Sequence, residues 1–192
     1  MSTAPQFGLS TPSPASPASP ASPAGAVRLP PQPASLDDLA ALRPEQLAPL
    51  YSGARTPVLR DMDGPLVGRM LAVGVLPRWM FAFLRWFAGW RRFPWRGKTF
   101  NSGEGGRGEG INRVFGDKNP RKWFRFETFV APSRAGDFDA VQLDYDNPGN
   151  PGFIRAIKDE VREVAPGLYL GLAYLMWRGR PRPMLYFGLH KR

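Results

Sequence analysis

Residues 168–177, LYLGLAYLMW, are apolar at odd and even positions alike. Successive side chains of a strand point to opposite faces, so a strand of this composition must be covered on both sides. The run therefore reads as the central strand of a sheet with a core on each face.

Other segments from Trp95 onward also carry strand patterns. Residues 95–101 (WRGKTFN) and 109–115 (EGINRVF) are short candidates joined by the glycine-rich SGEGGRG. In 123–131, Phe124, Phe126, Thr128 and Val130 alternate with Arg125 and Glu127. In 139–145, Val141, Leu143 and Tyr145 alternate with Gln142 and Asp144. Residues 183–190 complete a hairpin through Arg178-Gly179-Arg180. Turn residues separate the strands, among them Gly116-Asp117 with Asn119-Pro120. One helix is expected among them, over 153–164, where Ile154, Ile157, Val161 and Val164 share a face and Pro166-Gly167 follows.

The front of the chain reads differently. Residues 1–34 repeat Ala-Ser-Pro at 15–17, 18–20 and 21–23, a composition that favours extended, solvated chain. They predict a disordered arm without the apolar stretch of a signal peptide. Ser35 with Asp38 resembles a helix cap, and Leu36, Leu39 and Leu42 follow at helical spacing. Pro44 opens a second short helix that Gly53 ends. Residues 61–76, with Gly64-Pro65, Gly68 and Gly74, read as a loop with a helical turn. Residues 77–93 (PRWMFAFLRWFAGWRRF) form a basic aromatic helix, with Arg78, Arg85 and Arg92 on one stripe. Its arginines exclude a transmembrane helix. Two roles remain open for it, a cover over the sheet or a helix lying at a membrane surface.

The expected fold is α+β and mainly antiparallel. About six strands form a half-barrel or small barrel, with N-terminal helices and the packing helix near 153–164. Residues 35–192 make one domain, helical over 35–93 and β-rich over 94–192.

Composition removes several chemistries. There is no cysteine, hence no disulfide, thiolate nucleophile or zinc knuckle. The lone histidine, His190, cannot build a multi-histidine metal site, and no metal or cofactor is expected. No nucleophilic serine sits in Gly-x-Ser-x-Gly. The glycine-rich SGEGGRGEG at 102–110 lacks the Gly-Lys-Ser/Thr ending of a P-loop. A net charge of +10 favours anionic partners without choosing among them. The RNA-binding motif rich in glycine and aromatics is absent, so no specific nucleic acid is expected.

Among polar candidates, Asn112 and Arg113 lie in a strand between Ile111 and Val114, and with Lys98, Arg125, Tyr169 and Tyr186 they could stand inside a barrel. Which side of each strand faces inward is left open. The densest polar cluster is LDYDNPGNPGFIRAIKDEVREV at 143–164. There Asp144 and Asp146 share a face, and Arg155–Asp159 and Asp159–Arg162 are spaced to pair along a helix.

The segments LYSGARTPVLRDMDGPLVGRML (50–71), FPWRGKTF (93–100), GEGINRVF (108–115), LDYDNPGNPGFIRAIKDEVREVAPGLYLG (143–171) and LYFGL (185–189) resemble a group of uncharacterised bacterial proteins of similar length. More remotely, Trp95-Arg96-Gly97-Lys98 at the opening of a run of antiparallel strands is similar to the start of small lipocalin-like (calycin) barrels. That resemblance implies a barrel that binds apolar ligands.

These readings point to a cytosolic, non-enzymatic protein that binds a small amphipathic or anionic ligand. Trp95, Arg113, Tyr169 and Tyr186 are the expected cavity residues, with Arg155 and Asp159 at its rim. Two alternatives stand beside it. One is an isomerase or hydrolase using Asp144 or Asp159 as base. The other is a protein making peripheral contact with an anionic membrane through 77–93. Oligomeric state is left open.

Overall fold

The computed structural model describes residues 32–73, 95–115 and 119–192. The arm up to residue 31, the basic aromatic segment 77–93 and the Gly116-Asp117 turn lie outside the described residues.

Eight strands, not about six, form a closed antiparallel barrel. They are β1 (Gly64–Val73), β2 (Trp95–Ser102), β3 (Arg107–Val114), β4 (Arg121–Pro132), β5 (Asp139–Asp144), β6 (Ile157–Ala165), β7 (Leu168–Trp177) and β8 (Arg180–Lys191). Each pairs with its sequence neighbour, and β8 returns to β1. All six anticipated strands are present with small shifts at their ends. At the β7–β8 hairpin, Arg178 and Gly179 have φ of 50° and 75°, as a two-residue turn with both central residues left-handed requires.

The two further strands correct the sequence reading. The described part of 61–76 is not a loop with a helical turn: a 3-10 turn (Leu59–Met62) leads into β1, which runs to Val73. Gly68 misled because glycine usually marks a loop. Here it makes room for a ring, since a Cβ on Gly68 would stand 2.5 Å from the Trp95 side chain.

The helix expected over 153–164 is only α3 (Gly152–Arg155), and β6 follows it at once. On a helix its polar residues would fall away from the apolar face. Yet Asp159, Glu160, Arg162 and Glu163 are all buried, on two faces of a strand. Their partners lie in other elements and turns, so the expected pairs along a helix do not form. Arg155 pairs with Asp146, Asp159 with Lys98, and Arg162 donates to the carbonyls of Ala54 and Asp139.

Helices α1 (Leu36–Ala41) and α2 (Pro44–Gly53) precede the barrel. The anticipated cap is present: Ser35 Oγ accepts from Asp38 N at 3.1 Å, and Asp38 accepts from Ala34 N at 3.0 Å. Leu39 of α1 with Leu47 and Tyr51 of α2 pack against Val164, Leu168, Leu170, Leu172 and Tyr174 on the outside of the barrel. The interior is a separate core that includes Leu66, Phe100, Phe126, Val141, Leu143, Val161, Phe187 and Leu189. Met62 and Leu59 of the 3-10 turn pack into this core. Strand β7 thus needs two apolar faces. Tyr169 and Ala173 look into the barrel, while Leu168, Leu170 and Leu172 lie under the helices.

Candidate ligand-binding site

Inside the barrel lies a cavity of about 100 Å³. It sits toward the end at which β1 and β3 finish and β2 and β4 begin. Most of its wall is apolar, with Met70, Val114, Phe124, Ile157, Ala173, Met184 and Phe187 among the lining residues. Four polar side chains also line it: Lys98, Asn112, Tyr145 and Asp159. They form one hydrogen-bonded cluster with Trp95.

Strand irregularities aim these groups inward. Trp95 and Lys98 are three residues apart, so in a regular strand they would face opposite ways. A bulge between Trp95 and Gly97 inserts one extra residue and turns both toward the cavity. Gly97 carries that bulge with φ of 123°, and a Cβ there would stand 2.0 Å from the Leu66 carbonyl oxygen. Only glycine fits. A second bulge, opposite Ile111 and Asn112, places Phe124 at φ 57°. Its carbonyl accepts from Asn112 Nδ2 at 3.3 Å, and its ring lines the cavity. Tyr145 stands just beyond β5, where Asn150 Nδ2 donates to its carbonyl at 2.9 Å.

Lys98 Nζ donates to Asn112 Oδ1 at 3.0 Å, to Asp159 Oδ2 at 3.1 Å and to the Tyr145 hydroxyl. The rings of Trp95, Phe126, Tyr145 and Phe187 surround the ammonium with centroids 5.1 to 5.5 Å away. This box offsets part of the cost of burying the charge. Burial still depresses the Lys98 pKa, and the Asp159 charge opposes that shift. The Tyr145 hydroxyl donates to Asp159 Oδ2 at 3.1 Å and accepts from Asn112 Nδ2 at 3.1 Å. Burial first, and the Asp159 charge second, hold its pKa well above the usual tyrosine value. Trp95 Nε1 donates to Asn112 Oδ1 at 3.0 Å.

The six residues expected at a site are not all brought together. Trp95 and Asp159 line the cavity. Arg113 adjoins Asn112 on the opposite face of β3. Tyr169 is interior but points away from the cavity, its hydroxyl 3.3 Å from the Asp61 carbonyl oxygen. Tyr186 packs outside the barrel against Tyr51. Arg155, beside the cavity-lining Ile154, is in an exposed ion pair with Asp146 at 2.6 Å. Asp144, named as an alternative base, pairs with Lys158 and does not line the cavity.

Lys98 and Asn112 were among the polar candidates for a barrel interior but not among the six. Tyr145 was not singled out, although its alternation with Val141 and Leu143 already set it on the core side.

Among the described residues no group of histidine and acidic side chains is arranged to hold a metal ion, and no helix is long and apolar enough to cross a membrane. No family model and no curated protein matches the chain. A crystal structure of a protein from Thermomonospora curvata is similar in fold, with a TM-score of 0.51 and 17% sequence identity. The similarity covers 79% of this chain and 88% of that one. At that identity it shows the fold alone.

Proposed function

We propose that this protein is a non-enzymatic, lipocalin-like binding protein that takes a small amphipathic ligand into the barrel. The observation that carries this reading is the cavity itself: apolar walls around one cluster of buried polar groups. Ligand sites generally have this composition, with apolar area supplying affinity and a few fixed polar atoms supplying orientation. An eight-strand barrel in sequential order is also the architecture that lipocalins use to enclose one small ligand.

An engineered cavity of roughly 150 Å³ holds benzene, so about 100 Å³ seats a compact group of about six heavy atoms or fewer, and the cavity is half open, so the rest of a ligand can extend outward.

The test is to fill the space. Ala173 lines the cavity, and Ala173→Leu places three more carbons there. Native mass spectrometry of wild-type protein isolated from cells is expected to show a small adduct that the variant lacks. Thermal unfolding of Ala173→Leu is expected to change little. If the interior were solid, overpacking would instead cost about 1–3 kcal/mol. That cost, together with no adduct and no thermal shift across a library of small amphipathic compounds, would overturn the reading.

A further inference from the structure

Counting donors and acceptors in the cavity cluster leaves one gap. The Lys98 ammonium has three protons and three acceptors: Asn112 Oδ1, Tyr145 Oη and Asp159 Oδ2. The Asn112 amide protons go to the Phe124 carbonyl and Tyr145, and its oxygen accepts from Trp95 and Lys98. Tyr145 uses its proton on Asp159 and accepts from Lys98 and Asn112. Asp159 Oδ2 accepts twice. Asp159 Oδ1 accepts from no donor among the described residues, although the residue is only 4% exposed and lines the cavity.

A buried carboxylate oxygen without a partner is costly, because its desolvation is not repaid. What this cluster lacks is a donor. It does not lack an acceptor, since every N–H and O–H in it is already used. A ligand anion would bring further acceptors toward a carboxylate. A ligand cation would meet the Lys98 ammonium bonded to that same carboxylate. A neutral ligand with one O–H or N–H meets neither penalty.

We infer that the cavity selects neutral compounds carrying a single hydroxyl or amide N–H on a compact apolar body, with Asp159 Oδ1 accepting that proton. This sets aside the anionic ligand suggested by the net charge of +10. It rests on the binding reading above and names the ligand class for the same cavity.

Three probes of closely similar size test it by isothermal titration calorimetry: cyclopentanol, cyclopentanone and cyclopropanecarboxylate. For the wild-type protein, cyclopentanol is expected to bind about tenfold or more tightly than either of the others, the worth of one hydrogen bond to a charged acceptor. In Asp159→Asn the amide oxygen keeps the bonds from Lys98 and Tyr145, which leaves the amide protons at the former Oδ1. Cyclopentanone should then gain about tenfold relative to cyclopentanol. Circular dichroism checks that this variant is folded, and the wild-type ranking decides the matter if it is not. Ketone or carboxylate binding as well as the alcohol to wild-type protein would overturn this inference and leave the binding reading standing. Failure of all three to bind would also overturn this inference, while the binding reading is decided by the adduct and library measurements above.

Discussion

Asp159 and Glu160 are adjacent carboxylates on β6 that face opposite sides of one barrel wall. Both are buried, at 4% and 0% exposure. Glu160 looks outward into the layer beneath α2, and all its acceptor positions are engaged. Oε1 accepts from Arg134 N at 2.8 Å and Arg134 NH1 at 2.7 Å, and Oε2 from Ser133 Oγ at 2.6 Å and Tyr51 Oη at 3.2 Å. Asp159 looks inward, and among the described residues only its Oδ2 finds donors. The same chemical group is finished on one face and unfinished on the other. Glu160 binds the α2 layer and the β4–β5 turn to the barrel. Asp159, beside a cavity, keeps one acceptor without a donor among the described residues, which suits recognition.

The largest expected effect comes from breaking the inner pair. Lys98→Met strands a buried carboxylate and should cost about 3–5 kcal/mol in urea unfolding. Adding Asp159→Leu should recover most of that loss, because replacing both partners of a buried ion pair is often near neutral. A double variant no more stable than the single one would mean that the charges are not coupled in the way the 3.1 Å contact implies.

Next comes the outer cluster. Glu160→Gln keeps the shape but turns amide protons toward donors, at an expected cost of about 2–3 kcal/mol by the same measurement. The loss should be smaller than for Lys98→Met because Arg134 keeps 28% of its side chain exposed and can regain water. An equal or greater loss would erase the distinction between the two faces.

Single hydroxyls are expected to matter less. Tyr145→Phe removes one donor and one acceptor of the inner cluster at once and should cost about 1–2 kcal/mol. Tyr51→Phe removes one of four donors from Glu160 and should cost about 1 kcal/mol or less. The reverse order would show that the outer network depends on its tyrosine.

The smallest difference between the faces is expected in alkali. Burial raises the pKa of both Tyr51 and Tyr145, and that of Tyr169 to about 12. Each folded-state value exceeds the unfolded one, so the folded protein binds more protons once the pH passes 10. The stability these groups contribute is full below pH 10 and declines as pH rises through the folded values. Urea midpoints with tyrosinate absorbance, followed from neutral pH to about 12, should show the decline. A flat profile would mean that the rings are solvated.

Legibility in the sequence followed the physics of burial. Strand β4 alternates apolar with polar and β7 is apolar throughout, so each announces how many of its faces are dry, whereas β5 alternates although its Gln142 is buried. Strand β6 gives the opposite impression. IKDEVREVA looks like a wet helical face because charge usually means solvent, and here Asp159, Glu160 and Arg162 are buried. At the site, Trp95 and Asp159 were legible as candidates. Arg113, Tyr169 and Tyr186 were equally plausible by composition; strand parity sent Arg113 and Tyr186 elsewhere, while Tyr169 faces inward but away from the cavity.

The sequence by itself determined a mainly antiparallel β-fold with short helices before it, because side-chain periodicity and turn chemistry are local properties. Tertiary structure alone decided the closure into eight strands, the inward turn of Lys98, Asn112 and Asp159, and the lack of a donor for Asp159 Oδ1 among the described residues. Those depend on bulges and on partners such as Lys98 and Asp159, which lie 61 residues apart. No local pattern encodes which charge will neutralise another across a barrel.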